Sequence, residues 1–283
     1  MNRIDKLFQD KKERVLNVYF TAGYPQLNDT TTILEALETS GADLIEIGIP
    51  YSDPIADGPT IQESNGVALE NGMSLKVLFS QLKDMRDKVS VPIVLMGYVN
   101  PIVQFGMENF CAKCEEVGVD AVILPDLPMF EYLEIYKPMF EKHGLYNIFL
   151  ITPQTSEARI KQIDENSNGF IYMVSSASTT GAKTSISLDQ SDYFARVKNM
   201  NLKNPTLIGF GISNAETFDK ACENANGAII GSAFIKAISE DGNLEEKISG
   251  FVKSVIGWLG DQYISYQKIR LWRELLEYYG WLF

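Results

Sequence analysis

Two carboxylates, Glu46 and Asp57, stand eleven positions apart in the segment with the clearest chemical signal. Glu46 lies among Leu44, Ile45 and Ile47, in an apolar run that predicts a buried strand. An unpaired carboxylate is costly there, so its pKa is expected to rise and the group can give and take a proton near neutral pH. Asp57 follows on a segment rich in proline and glycine, which restrict the backbone. Two carboxylates in different surroundings can take separate roles in acid–base catalysis.

Both carboxylates also have ordinary structural explanations. Glu46 could pair with a buried lysine or arginine, and Asp57 could cap a helix that begins near Thr60. The spacing alone leaves both explanations open.

Composition narrows the class of protein. The 283 residues are 45% hydrophobic, enough for a large core. The 25 basic and 37 acidic residues give a net charge of -12, whereas a nucleic-acid binder needs a basic face.

No segment approaches the roughly 20 continuous apolar residues of a membrane span, and the start lacks a signal-type apolar core, so we expect a cytoplasmic protein. Three cysteines predict no disulfide scaffold, and Cys111 and Cys114 have no second ligand pair nearby, so no metal site is expected.

Eight short runs rich in Val, Ile and Phe alternate with amphipathic segments of helical spacing. The predicted strands are residues 15–21, 44–48, 93–97, 121–124, 147–151, 170–174, 206–210 and 228–230. A strand followed by a helix, repeated eight times, predicts an α/β fold of the (β/α)8 TIM-barrel type. A doubly wound open sheet is the alternative, since it also accommodates eight such units.

The chain divides into a barrel domain, residues 1–256, and a C-terminal extension, residues 257–283. In the extension, Ile269, Trp272 and Leu276 have the spacing of an amphipathic helix. The two longest predicted loops, residues 49–71 and 175–189, follow the second and sixth strands. All strand-to-helix loops of a barrel open on one face, so both are expected to cover one site.

Small residues follow the last three predicted strands. They are Thr180 and Gly181 after the sixth strand, Gly211 after the seventh, and Gly231 and Ser232 after the eighth. Backbone amides in such loops, with the start of a short helix, form the usual phosphate site of this barrel. Each glycine alone is equally consistent with a tight turn, but three successive loops together favour a phosphorylated ligand.

Four blocks, in order, resemble the alpha subunit of tryptophan synthase from about residue 4 to about residue 255. The most specific block is residues 46–62, which read EIGIPYSDPIADGPTIQ. The others are residues 118–128, which contain GVDA and PDLP, residues 209–213, which read GFGIS, and residues 231–233, which read GSA. The resemblance implies a carbon–carbon lyase that cleaves indole-3-glycerol phosphate by a retro-aldol reaction to indole and glyceraldehyde 3-phosphate, without a metal or organic cofactor in this subunit.

The resemblance also implies roles for individual residues. Glu46 matches the general acid–base and Asp57 the carboxylate that holds the indole N–H, while Thr180 matches the residue that closes onto Asp57. The residues that match the apolar walls around indole are Tyr19, Ile123, Ile151, Tyr172 and Phe210, and those that match the phosphate site are Gly181, Gly211, Gly231 and Ser232. For Ile123 and Ile151, simple core packing explains the residue type equally well.

A partner is implied too. The family subunit pairs with a beta subunit that binds pyridoxal phosphate and receives indole, in an alpha2-beta2 complex. Pro50 and Asp53 match positions that face that partner. This chain departs from the family in the sixth loop, where Ser176 replaces a common arginine.

Two other functions remain open at this point. One is another phosphosugar barrel enzyme, such as indole-glycerol-phosphate synthase or an isomerase, although the lysine expected beside the second-strand carboxylate is missing. The other is a non-catalytic barrel subunit that activates a partner enzyme.

Overall fold

The parallel strands that the sequence predicts are present. The computed structural model describes residues 1–55, 57–175, 188–209 and 211–257. In these ranges the strands are β1 Val15–Thr21, β2 Leu44–Gly48, β3 Ile93–Met96, β4 Ala121–Ile123, β5 Tyr146–Ile148, β6 Leu150–Ile151, β7 Ile171–Val174, β8 Thr206–Gly209 and β9 Gly227–Ile230. Every pair of neighbouring strands is parallel.

The ring of strands is closed through Phe149. The sheet runs from β5 through β4, β3, β2, β1, β9, β8 and β7 to β6. Strands β5 and β6 are two halves of the predicted fifth strand, separated only by Phe149, whose carbonyl oxygen accepts a hydrogen bond of 3.0 Å from the Tyr172 N–H. One half pairs with β4 and the other with β7, so the prediction of an eight-unit barrel is confirmed and the open sheet is wrong.

Helices connect the strands and cover the outside of the barrel. Those in the described residues are α1 Arg3–Asp10, α2 Asp29–Ser40, α3 Pro59–Glu70, α4 Leu75–Gln81, α5 Val99–Phe105, α6 Met107–Val117, α7 Met129–Glu131, α8 Lys137–Lys142, α9 Glu157–Asn166, α10 Leu188–Asn199, α11 Ala215–Cys222, α12 Ser232–Ser239 and α13 Leu244–Ile256, with a 3-10 turn Met85–Asp87 and a π-helical turn Tyr132–Tyr136. Apolar faces hold them in place, as in α2, which buries Ile33, Leu34 and Leu37. No helix in the described ranges is long and apolar enough to cross a membrane.

Strand register decides which side chains face the barrel interior. Tyr19 of β1 lies opposite Glu46 of β2, and Glu46 lies opposite Val94 of β3. Side chains alternate between the two faces of a strand, so Asn17, two positions before Tyr19, shares its face. A polar set therefore enters the interior from neighbouring strands.

The amino end of the barrel is held by a buried ion-pair cluster around Asp120. The Asp120 side chain is only 3% exposed and accepts hydrogen bonds from Arg86 at 2.8 Å, Arg3 at 3.0 Å and the Ile93 N–H at 2.8 Å. Arg86 is itself largely buried, which lowers its pKa to about 10 although Asp120 favours its charged form. Helix α1 joins the cluster, since the Asn2 side chain donates to the Asp120 carbonyl at 3.0 Å.

Replacing Asp120 with alanine is expected to lower the free energy of unfolding by about 3 to 5 kcal/mol, because it leaves Arg86 buried without its counter-charge. Equilibrium denaturation followed by circular dichroism measures this. The control is Asp219→Ala, which breaks the exposed pair with Arg14 and should cost less than about 1 kcal/mol. Equal losses for the two variants would contradict a structural role for the cluster.

Candidate active site

Glu46 lies in the barrel interior without an ionic partner. Its side chain is 1% exposed, and Oε2 accepts a hydrogen bond of 3.0 Å from Asn17 Nδ2. Oε1 is buried and has no hydrogen-bond partner among the described residues, and no described lysine or arginine forms an ion pair with Glu46. The salt-bridge explanation is therefore not supported within the part of the chain that the structure describes.

Burial is the main influence on the acidity of Glu46. It raises the pKa of the carboxyl to about 8, the Asn17 hydrogen bond opposes the rise, and the negative charge of Asp57 adds to it. Glu46 is thus mostly protonated at neutral pH, yet close enough to its pKa to lose and regain the proton.

The raised pKa of Glu46 predicts a pH-dependent stability. Because the folded state binds this proton more tightly than the unfolded chain, the contribution is complete below the ordinary carboxyl pKa and is lost as pH rises through about 8. Chemical denaturation at several pH values measures this loss. Between the ordinary carboxyl pKa and about pH 8, we expect the free energy of unfolding to fall less for Glu46→Gln than for the wild type. Parallel curves for the two proteins would contradict the assigned pKa.

Asp57 lies on the loop between β2 and α3 and points toward a tyrosine. Its Oδ2 accepts a hydrogen bond of 3.1 Å from the Tyr98 hydroxyl. Burial raises the pKa of Asp57, and the Tyr98 bond opposes this. Helix α3 has Gly58 at its N-cap with no side-chain capping bond, so the capping explanation for Asp57 is wrong.

Two glycines leave room for tyrosine rings that come from the neighbouring strand. A Cβ atom added to Gly48 would lie 2.1 Å from the Tyr19 hydroxyl, and one added to Gly209 would lie 2.2 Å from the Tyr172 hydroxyl. Both tyrosines are buried, and burial with the nearby charges of Glu46 and Asp57 raises the pKa of each hydroxyl well above its usual value. Tyr19 and Tyr172 therefore stay neutral beside the two carboxylates.

The predicted phosphate residues that the structure describes, Gly211, Gly231 and Ser232, follow β8 and β9. Gly231 is the N-cap of α12, and Ser232 is the first residue of that helix. A Cβ atom at Gly231 would be 3.3 Å from the Tyr19 ring, so the start of α12 adjoins the interior site. Gly211 has φ of +79°, which favours glycine, and follows β8. Free amides at a helix start, next to a turn of this kind, suit an anion.

The strand register separates the two predicted isoleucines. Ile123 lies opposite Met96, which lies opposite Gly48, so Ile123 is on the interior face. Ile151 lies opposite Met173 and is therefore on the face away from Tyr172, whose partner in the register is Leu150. The register therefore places Leu150, and not the predicted Ile151, on the face of Tyr172.

Several predicted residues lie outside the described ranges, and two others lie on the loop after β2. Thr180, Gly181, Ser176, Phe210 and the predicted helix in residues 258–283 are outside the described residues. On the loop after β2, Pro50 is buried and Asp53 is exposed.

Two polar contacts were missed by the sequence analysis, those of Asn17 and Tyr98. Asn17 carries a signal, because it is an amide in a strand whose other residues are mainly apolar and lies two positions before Tyr19. Tyr98 follows β3 with no pattern that links it to Asp57, forty-one positions away.

A closed parallel barrel, with two carboxylates of raised pKa and a helix N-terminus against Tyr19, is the arrangement expected of a barrel enzyme. Comparison with known proteins then specifies the family. Residues 6–256 match the family model described as tryptophan synthase alpha chain. The chain belongs to the tryptophan synthase alpha chain family. It is a carbon–carbon lyase of tryptophan biosynthesis and catalyses the alpha reaction, the cleavage of indole-3-glycerol phosphate.

Individual relatives agree over nearly the whole barrel. The tryptophan synthase alpha chain of Flavobacterium psychrophilum is 58% identical over 255 residues, which is 90% of this chain and 100% of that one. The solved alpha chain from Legionella pneumophila is 33% identical with a TM-score of 0.82, covering 92% of this chain and 99% of that one. A structure from Pyrococcus furiosus, solved as a tryptophan synthase complex, is 38% identical with a TM-score of 0.80, covering 87% and 99%.

Proposed function

We propose that Glu46 is the acid–base residue of the cleavage. In its neutral form it donates a proton to C3 of the indole ring, and the resulting carboxylate accepts the proton of the adjacent glycerol hydroxyl. As that hydroxyl becomes an aldehyde, the bond between C3 and the glycerol chain breaks and its electron pair returns to the ring. Indole and glyceraldehyde 3-phosphate leave, and Glu46 is again protonated. The observation that carries this proposal is a carboxyl whose burial raises its pKa to about 8 and whose Oε1 has no hydrogen-bond partner in the described part of the chain.

Asp57 is proposed to hold the indole N–H. A carboxylate beside this group favours the tautomer in which C3 is protonated, and Tyr98 fixes the carboxylate by its 3.1 Å hydrogen bond. Thr180 is proposed to close onto Asp57. Each proton-transfer contribution of this kind is typically worth about 10²- to 10⁴-fold.

The remaining residues are proposed to position the substrate. Tyr19, Ile123, Leu150, Tyr172 and Phe210 form the walls around indole. Amides of Gly181, Gly211, Gly231 and Ser232 hold the phosphate, with the N-terminal end of α12 supplying the favourable field. Anchoring the phosphate fixes the glycerol arm so that C3 meets Glu46.

This chain is proposed to act without its own cofactor. Among the described residues, no group of three His, Cys, Asp or Glu side chains is arranged to hold a metal ion. Pyridoxal phosphate is expected only in a beta partner, and we place the reaction in the cytoplasm.

Assembly with a beta subunit into an alpha2-beta2 complex is part of the proposal. The solved relative from Pyrococcus furiosus, a tryptophan synthase complex, supports it. The loops after β2, β3 and β4 are joined at the barrel mouth, since the Tyr51 and Tyr98 rings lie 5.2 Å apart and the Val99 N–H donates to Asp126 at 3.1 Å. These loops, with Pro50 and Asp53, are proposed to face the partner.

Large apolar side chains are exposed on the segments that follow β2 and β4, the second of which includes α7. Ile55, after β2, is 80% exposed, and Phe130, after β4, is 73% exposed. Exposed apolar residues at one end of a barrel suit a protein interface.

Changing Phe130 to aspartate is expected to weaken binding of a beta subunit by about 10-fold or more, since an apolar anchor becomes a charge. Calorimetric titration of the intact chain with a beta subunit measures this. Ile135→Asp is the matched control, because Ile135 is also exposed, at 58%, but belongs to the π-helical turn Tyr132–Tyr136 that follows α7. Equal effects of the two changes would contradict the proposed face.

The decisive experiment for the proposed function measures indole released from indole-3-glycerol phosphate by the intact chain, alone and with a beta subunit. We expect slow release alone and faster release with the partner, because loop closure excludes water. No release under either condition would leave only the other phosphosugar reaction or a non-catalytic subunit.

A further inference from the structure

Asn17 makes the one hydrogen bond to Glu46 found among the described residues. Both side chains are buried, Asn17 at 0% and Glu46 at 1% exposure, and the bond from Nδ2 to Oε2 is 3.0 Å long. They come from adjacent strands, β1 and β2, and share the interior face.

The bond leaves one oxygen unpaired on each side chain. Asn17 Oδ1 and Glu46 Oε1 are both buried without a hydrogen-bond partner in the described part of the chain. A buried polar atom without a partner typically costs about 1 to 3 kcal/mol. An apolar residue at position 17 would avoid that cost, so stability alone does not explain the amide.

The bond also influences where the proton of Glu46 resides. In a neutral carboxyl the carbonyl oxygen is a stronger acceptor than the hydroxyl oxygen, so the Asn17 N–H at Oε2 favours the form that carries the proton on Oε1. Oε1 is the oxygen that has no hydrogen-bond partner among the described residues. That is the oxygen free to meet a substrate atom.

We infer that Asn17 is a positioning residue, which directs the proton of Glu46 to Oε1 and stabilises the carboxylate left after that proton has been given to the substrate. This inference rests on the proposed function, because it assigns Glu46 the proton transfer. In this role the single N–H donor of Asn17 acts on a carboxyl that changes charge during each turnover.

The titratable groups that face Glu46 can be named one by one. Tyr19 from β1 and Tyr172 from β7 face it, with pKa values well above the usual one, so both stay neutral. Asp57, from the loop after β2, contributes its negative charge, and Tyr98, after β3, acts through Asp57. Among the described residues, removal of the Asn17 donor is thus a local change to Glu46.

The test compares the pH dependence of kcat for indole release in the wild type, Asn17→Leu and Asn17→Asp. Leucine has a similar size without the donor, and aspartate has a similar shape with a like charge. In the wild type we expect kcat to fall as pH rises through about 8. For Asn17→Leu we expect this fall to move up by about one pH unit, because a donor to a charged group is lost. We also expect kcat to drop by up to about 100-fold with little change in KM, because the acid is misplaced.

Asn147→Leu is the matched control. Asn147 is also a buried strand asparagine with an unpaired Oδ1, but it borders a cavity of about 120 Å³ that Tyr132 and Asn166 also line. We expect this variant to leave the pH profile unchanged.

The outcomes separate the two proposals. An inactive wild type would overturn the proposed function. An active wild type whose pH profile stays in place in both Asn17 variants would overturn the role of Asn17 alone, as would an equal shift in Asn147→Leu. If circular dichroism shows that Asn17→Leu does not fold, Asn17→Asp decides the question. For that variant we expect the fall of kcat to move to still higher pH, because a second negative charge next to Glu46 disfavours its ionised form.

Discussion

Glu46→Gln is expected to lower kcat for indole release by at least about 10³-fold, because one side chain performs both proton transfers and each is typically worth about 10²- to 10⁴-fold. Glutamine keeps the shape and the acceptor for Asn17 but cannot donate an acidic proton or accept one. At neutral pH it also matches the neutral state of Glu46, so the fold should be retained. Single-turnover formation of indole, with the beta subunit present, measures the chemical step.

The control for this change is Glu35→Gln. Glu35 pairs with Lys88 on the outside of the barrel, so its removal should leave kcat unchanged. A Glu46→Gln enzyme that keeps a tenth or more of wild-type kcat would discredit the acid–base assignment.

Asp57→Asn is expected to reduce kcat/KM by about 10²- to 10³-fold. The amide presents one acceptor and no negative charge to the indole N–H, so protonation of C3 is less favoured. Steady-state kinetics with indole-3-glycerol phosphate measure the loss.

Tyr98→Phe separates orientation from charge at the same site. It removes the 3.1 Å bond to Asp57 but leaves the carboxylate, so its effect should be clearly smaller than that of Asp57→Asn. If the two losses were equal, or if Tyr98→Phe were the more damaging, the role assigned to Asp57 would be wrong.

The barrel was predictable because its strands and helices have different periods. Apolar runs of three to seven residues, alternating with segments such as the one that buries Ile33, Leu34 and Leu37, define the units without knowledge of long-range contacts. The raised pKa of Glu46 was predictable too, because its neighbours along the strand are apolar and indicate burial.

Register was less predictable than strand position. The predicted fifth strand is interrupted at Phe149, where pairing passes from β4 to β7. Because side chains alternate, an error of one position moves a residue to the other face, and the family match at Ile151 differs by one position from the residue that shares the face of Tyr172, which is Leu150.

The contacts that tune the carboxylates were beyond the sequence. Asn17 and Glu46 are twenty-nine positions apart, and Asp57 and Tyr98 forty-one, so they meet only when β1, β2 and β3 have paired as neighbours. The need for glycine at positions 48 and 209 was equally hidden in the sequence, because it depends on the rings of Tyr19 and Tyr172, which occupy the space of a Cβ atom there.

The most direct test of the account is the single-turnover rate of indole formation by the wild type across neutral and alkaline pH. Because Glu46 must start protonated, we predict a constant rate at neutral pH that falls through a single ionisation near pH 8. A rate that rises over the same range would show that the reaction begins from the carboxylate, and would contradict the account.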